Sequence, residues 1–216
     1  MEKTLNIFDS IVFGYKKFWQ SKWALISLGA ILYLINKPSF VVERLAENNP
    51  QVTLLPLLSL AVDILSLIVI SMIMPGIIQI LLEAYNDKIS IHEITFSKLF
   101  SKINLTPRYA LGFVIYGLIC LGGTILVIIP GIIWGIKYCF WIFILIDKNL
   151  SAWESIKFSG KITYGYKKKL LILLLASPIL AIITFLIGFF PCLLLICIHL
   201  YKQLLSFYEE KHGITN

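Results

Sequence analysis

Residues 109–147 read YALGFVIYGLICLGGTILVIIPGIIWGIKYCFWIFILID, and Lys137 is the only charge before the closing Asp147. At about 1.5 Å per residue, a helix from Tyr109 to Ile129 measures roughly 31 Å, one hydrocarbon thickness. Pro130-Gly131 then interrupts the pattern, and a second apolar stretch from Ile132 to Ile146 runs back. A water-soluble core has no use for an apolar hairpin this long. The stretch therefore predicts two membrane-crossing helices joined by a turn at Pro130-Gly131.

The rest of the chain agrees. Of its 216 residues 58% are apolar and 14% charged, with a mean hydropathy of +0.86, whereas a soluble domain has about a quarter charged. Hydrocarbon admits only helices or closed barrels, because backbone groups must be satisfied internally. Barrel strands give short alternating segments, and the runs here are continuous, so the expected fold is all-α. The net charge of +7 does not point to nucleic acid. The basic residues cluster at the ends of apolar runs, and no nucleic-acid-binding motif accompanies them. Cys120, Cys139, Cys192 and Cys197 lie in apolar segments without C-x-x-C spacing, which suits buried thiols better than disulfides or metal ligands. The first twenty residues are amphipathic, unlike the apolar core of a signal peptide.

The apolar runs predict six spans in one membrane-embedded domain (1–216), at about 20–37, 56–82, 109–129, 131–147, 170–190 and 192–207, the second kinked at Pro75. Amphipathic helices are expected between them. Over residues 4–20, Leu5, Phe8, Ile11, Val12, Tyr15, Phe18 and Trp19 share a face, with Lys16 and Lys17 on the wet side, which predicts a helix lying at the membrane surface. Ser90-x-x-Glu93 and Ser151-x-x-Glu154 match capping boxes, and Asn6-x-x-Asp9 is a weaker relative. Prolines 75, 130 and 191 mark recurring breaks. Internal duplication and shared membrane constraints both account for that recurrence.

An even number of spans puts both termini on one side. All but Lys37, Arg44 and Lys137 of the 19 basic residues then fall on that side, so both termini are expected to be cytoplasmic. The same lysines suit anionic headgroups, at about 1 kcal/mol each near the surface.

The segment IIPGIIWGIKYCFWIFILIDKNLSAWESIKFSGKITYGYKKKLLILLL (128–174) resembles the signature stretch of a poorly characterised family of bacterial six-helix integral membrane proteins. That family is related to the membrane portion of some glycerophosphoryl diester phosphodiesterases. Pro130, Gly131, Tyr138, Asp147, Ala152, Ile156, Lys157, Ser159, Gly165, Tyr166 and Lys167 carry the likeness, which is specific over about 128–169. Pro75-Gly76, Pro191 and the FYE at 207–209 extend it. The resemblance implies a six-helix fold in the bacterial cytoplasmic membrane and no particular activity. The catalytic domain of the phosphodiesterases has no counterpart in this sequence.

Charges inside a span are costly and mark candidate sites. Counting from Pro56, Pro130 and Pro191, Asp63, Lys137 and His199 lie seven or eight residues into their helices, about 10–12 Å deep. An intramembrane cluster of Asp63, Lys137 and His199 is therefore expected. The alternative is that Lys137 snorkels and His199 is an ordinary packed histidine. No Ser-His-Asp set, HExxH motif or phosphate loop occurs, and no metal or cofactor site is expected. The leading expectation is a non-enzymatic membrane protein with an accessory, transport-related or protective (immunity-like) role. Its partners would be membrane lipids and a membrane protein or peptide. The runner-up is a small transporter or permease-like protein using the Asp63/Lys137/His199 zone.

Overall fold

The computed structural model describes residues 5–20, 54–86, 96–126, 128–184 and 189–214, with isolated positions between 42 and 48. Among them every regular element is helical: α1 (Ile7–Gln20), α2 (Leu54–Tyr85), the single turn α3 (Phe96–Leu99), a 3-10 turn at Ile103–Leu105, α4 (Thr106–Leu126), α5 (Ile128–Tyr138), α6 (Trp141–Asp147), α7 (Ala152–Ile162), α8 (Lys167–Thr184) and α9 (Phe189–Lys211). Within these residues four stretches are long and apolar enough to cross a membrane: Leu54–Tyr85, Ser97–Ile125, Pro130–Asp147 and Cys192–Lys211. The architecture is all-α and consistent with a polytopic membrane fold. The expected span at 20–37, the Ser90/Glu93 box and residues 185–188 of the expected span 170–190 lie outside the described residues.

Apolar side chains are distributed unlike those of a soluble bundle. Leu54, Leu57, Leu60, Leu65 and Leu67 on the first half of α2 are exposed, as are Phe113, Leu118, Leu121 and Ile125 on α4. In water such a surface would drive association, whereas lipid tails cover it at no cost. The packed core uses the second half of α2. Ile77, Ile78 and Leu81 are fully buried there, as are Ile144 and Leu145 of α6 and Leu195, Ile198, Leu200 and Leu204 of α9, and both helices contact α2.

Proline does less breaking than its positions suggest. α2 runs unbroken through Pro75, extending the expected span 56–82 at both ends to 32 residues, about 48 Å of rise. The next residue, Gly76, leaves a bare patch against which the Leu99 backbone of α3 rests. α4 is described to Leu126 and α5 from Ile128, so Pro130-Gly131 lies inside α5. Pro130 sits in the first turn of α5, where a missing amide hydrogen costs no helical bond. The hairpin closes tightly because Gly123 and Gly131 face each other. A Cβ on Gly123 would come within 2.8 Å of the Gly131 Cα.

The expected span 131–147 is two helices, parted at Cys139-Phe140. At this break the Lys137 carbonyl accepts from the Ser159 and Thr163 hydroxyls of the neighbouring segment, at 3.2 and 2.9 Å. Both hydroxyls are fully buried. Ser155, Ser159 and Thr163 recur at four-residue spacing, so α7 and the turn after it present one small, polar face to α5 and α6. The Ser151/Glu154 box forms as expected. Ser151 Oγ accepts from the Glu154 amide at 3.3 Å, and Glu154 Oε2 accepts from the Ser151 amide at 3.2 Å. α9 ends on Gly213 at φ 65°, with Ile214 N–H donating to the Glu209 carbonyl at 2.9 Å, the Schellman closure that glycine permits.

Two outcomes are expected. Gly76→Ala drives a methyl into the Leu99 backbone and should destabilise by about 1–3 kcal/mol, read as a lower midpoint in detergent. Gly117→Ala, whose Cβ would meet nothing within 4 Å, should leave the midpoint unchanged or raise it. The hydrogen bonds from Ser151 hold the Glu154 carboxyl below its ordinary range. A depressed folded value means that its contribution is present above the unfolded value of 4.5 and is lost as pH falls through the folded one. Hydrogen exchange at 152–155, corrected for intrinsic rates, should accelerate at acid pH in the native protein, and Glu154→Gln should remove that pH dependence.

Candidate functional site

The polar contacts between helices gather along α9. On one side lies α1, begun by Asn6, whose carboxamide accepts from the Asp9 amide and donates to the Asp9 carboxylate. The Asn6 backbone amide donates to Gln203 Oε1 at 3.3 Å. One turn on, Ser10 Oγ lies 2.9 Å from His199 Nδ1. One turn further, Gly14 abuts Ile196 and the Cys192 carbonyl. Each step forward on α1 is a step back on α9, so the helices run antiparallel along their length. α1 thus has a second, packed face besides the apolar one that its spacing showed. The small residues Ser10 and Gly14 let α1 press against α9, while Phe8, Val12, Tyr15 and Trp19 form a separate exposed stripe.

His199 stacks on Phe13 (centroids 4.6 Å apart) and meets the Tyr85 ring edge-on at 5.9 Å. Gln203 Nε2 lies 3.0 Å from His199 Nδ1 and 3.3 Å from Ser10 Oγ. The serine is fully buried, its hydroxyl also reaching the Asn6 carbonyl at 3.0 Å. The serine, histidine and glutamine thus fasten α1 to α9.

On the other side of α9 the end of α6 is clamped. Lys202 Nζ contacts both oxygens of Asp147, at 3.0 and 2.9 Å, and the Tyr201 hydroxyl donates to Asp147 Oδ2 at 2.7 Å. The adjacent Lys148 pairs with Glu209 at 2.9 Å. Consecutive residues of opposite sign thus meet partners two turns apart on one helix, and a two-turn slide would set Asp147 against Glu209 or Lys148 against Lys202. The four groups, with Leu205 and Ser206, line a cleft of about 420 Å³.

The three residues expected to cluster are not assembled. Asp63 is half-buried in the first half of α2. It precedes Tyr85 by 22 positions on that helix, about 33 Å of rise, and His199 touches Tyr85. Lys137 lies with its amine 4.8 Å over the Tyr138 ring and its stem against Gly160, and it forms no ion pair with Asp63 among the described residues. Depths counted from prolines assume that helices start level. α9 instead starts far down α2, so equal counts do not mean equal depth. The clamp residues Lys202, Glu209 and Tyr201 and the node residues Ser10 and Gln203 were not expected as a site. The available signal was the Asp147-Lys148 dipeptide opposite Lys202 and Glu209 at a seven-residue spacing.

The four cysteines are free, and no three His, Cys, Asp or Glu residues among those described are placed to hold a metal ion. Comparison of the chain with protein-family models, with curated proteins and with solved structures finds no match.

The Asp147 and Lys202 side chains are each about one-fifth exposed (21% and 20%). Asp147→Asn or Lys202→Met alone should therefore destabilise by about 1–3 kcal/mol through the stranded partner, and the double variant should recover part of the loss. Asp63→Asn and Lys137→Met, in contrast, should add. Thermal midpoints of each double-mutant cycle in detergent provide the measurement.

Proposed function

We propose that this chain is a non-enzymatic, multi-pass protein of a bacterial cytoplasmic membrane, acting through its helical bundle in an accessory, transport-related or protective role. In this reading six helices cross the membrane, both termini are cytoplasmic, and the resemblance of residues 128–169 to the six-helix family reflects a shared architecture. One observation carries it. The polar side chains between helices are spent on one another, in the Ser10–His199–Gln203 node, the Asp147–Lys202 and Lys148–Glu209 clamps and the Lys137 carbonyl contact. Thr106 Oγ1 is the one buried side-chain polar atom without a partner among the described residues. A transporter needs unspent polar groups facing a path, and the Asp63/Lys137/His199 zone on which that reading rested is not gathered.

A bundle of this kind acts through its surface, on membrane lipids and on a membrane protein or peptide partner. The orientation is tested by single cysteines at positions 98 and 168 in a cysteine-free background. Both should resist a membrane-impermeant reagent in intact cells and react after lysis, and labelling of either from outside would overturn the topology. The role is tested by challenging a deletion strain with membrane-active peptides. Sensitivity should rise, and Asp63→Asn/Lys137→Met should restore resistance as well as the native protein does. A folded double variant that failed to restore it would return the site to transport.

A further inference from the structure

α7 buries Ala152, Ser155, Ile156, Ser159 and Ile162 and turns a different set outward. Trp153 is 51% exposed, Lys157 and Lys161 follow at four-residue intervals, and Tyr164, just past the helix, is 75% exposed. These four positions fall within about 80° of one another at 100° per residue, so they form one stripe with aromatic ends and a basic middle. The Lys157 amine lies 5.1 Å from the Trp153 ring centroid. The acid beside the stripe, Glu154, is turned back into its capping box with Ser151. Its carboxylate is thereby held at the helix end by Ser151, with only a lesser attraction to Lys157.

α8 begins three residues after Tyr164. On α8 the exposed Lys168 is followed on the same face by Ile172 and Leu175, 60% and 67% exposed. Basic groups thus pass directly into an apolar surface, the order met on moving from phosphate to acyl chain. A soluble acidic partner would match the lysines and leave Ile172 and Leu175 in water. Aromatic rings beside the lysines suit the headgroup level, where amphipathic rings concentrate.

We propose that Trp153, Lys157, Lys161, Tyr164 and Lys168 form a contact site for anionic phospholipid headgroups. The lysines meet the phosphates, and Ile172 and Leu175 lie along the acyl chains below. The inference rests on the membrane reading above and supplies a residue-level partner for it.

The experiment uses the full chain reconstituted in phosphatidylcholine vesicles carrying either spin-labelled phosphatidylglycerol or spin-labelled phosphatidylcholine. The fraction of motionally restricted label gives the selectivity of the protein for the anionic lipid. The native protein should prefer phosphatidylglycerol severalfold. Lys157→Gln/Lys161→Gln/Lys168→Gln should bring the ratio close to one, whereas Lys98→Gln/Lys102→Gln should leave most of it. All three stripe lysines are exposed, and circular dichroism with size-exclusion chromatography checks that the variant is folded. If the triple variant does not fold, a fluorophore at Tyr164→Cys should be quenched more by brominated phosphatidylglycerol than by brominated phosphatidylcholine. Equal quenching, an unchanged preference in the triple variant, or no preference in the native protein would overturn the site. Loss of the preference on adding millimolar glycerol phosphate would do the same, because it would mark a free-anion site. Vesicles with identical leaflets make this readout independent of orientation, so a failure of the topology, seen by labelling position 168 from outside, remains distinguishable.

Discussion

A buried backbone carbonyl must find a donor, and the break at Cys139-Phe140 leaves the Lys137 carbonyl to be satisfied from outside its own helix. An unsatisfied group there costs several kcal/mol, more than an exposed ion pair returns. Ser159 and Thr163 supply the donors, which obliges α7 to lie alongside the broken helix. The connection from α6 to α7 is then short. Asn149 takes it round at φ 50°, tolerable for asparagine in this region, and its carboxamide accepts from Arg108 at 3.2 Å. The same geometry brings the Asp147-Lys148 pair to α9. One helix break thus sets the places of three helices.

Why polar and small residues do this work follows from the solvent. Lipid tails are as apolar as leucine, so an all-leucine interface has no strong preference for one register over another. α9 resolves the ambiguity on both flanks. Against α1 it uses small residues and a hydroxyl–imidazole–carboxamide node. Against α6 it uses two ion pairs whose signs alternate. Half-buried ion pairs are weak sources of net stability, yet a misplaced register would juxtapose Asp147 with Glu209, a penalty that does discriminate. Their contribution is specificity of packing, with tightness supplied by side chains such as Ile77, Leu81, Leu195 and Leu204.

Helix class, the Ser151/Glu154 box and the amphipathic character of α1 and α7 were legible in the sequence because each is local. A capping box spans four residues, and an apolar run declares its solvent without reference to neighbours. Proline misled at Pro130 because its effect depends on position within a helix: Pro130 falls in a first turn, where it is tolerated, whereas Pro75 is carried inside α2. The Asp63/Lys137/His199 expectation failed for a related reason. Depth was counted along each helix, but the stagger between helices is set by lateral contacts such as Tyr85 against His199, which have no trace in any single segment. α1 shows the same limit. Its period marked an apolar face, and only packing revealed that Ser10 and Gly14 make a second face for α9.

The division of α2 draws these strands together. Its second half is enclosed by α6 and α9 at the end where the paired charges lie, and its first half carries leucines outward. Among the described residues, a bundle organised in this way pairs most of its interior polar groups at its packed end and carries an apolar exterior on α2 and α4. What remains unspent are surfaces, and among them the basic–aromatic stripe of α7 is the one whose chemistry names a partner. The proposed recognition through surface thus follows from the same economy of polar groups that holds α6, α7 and α9 in place.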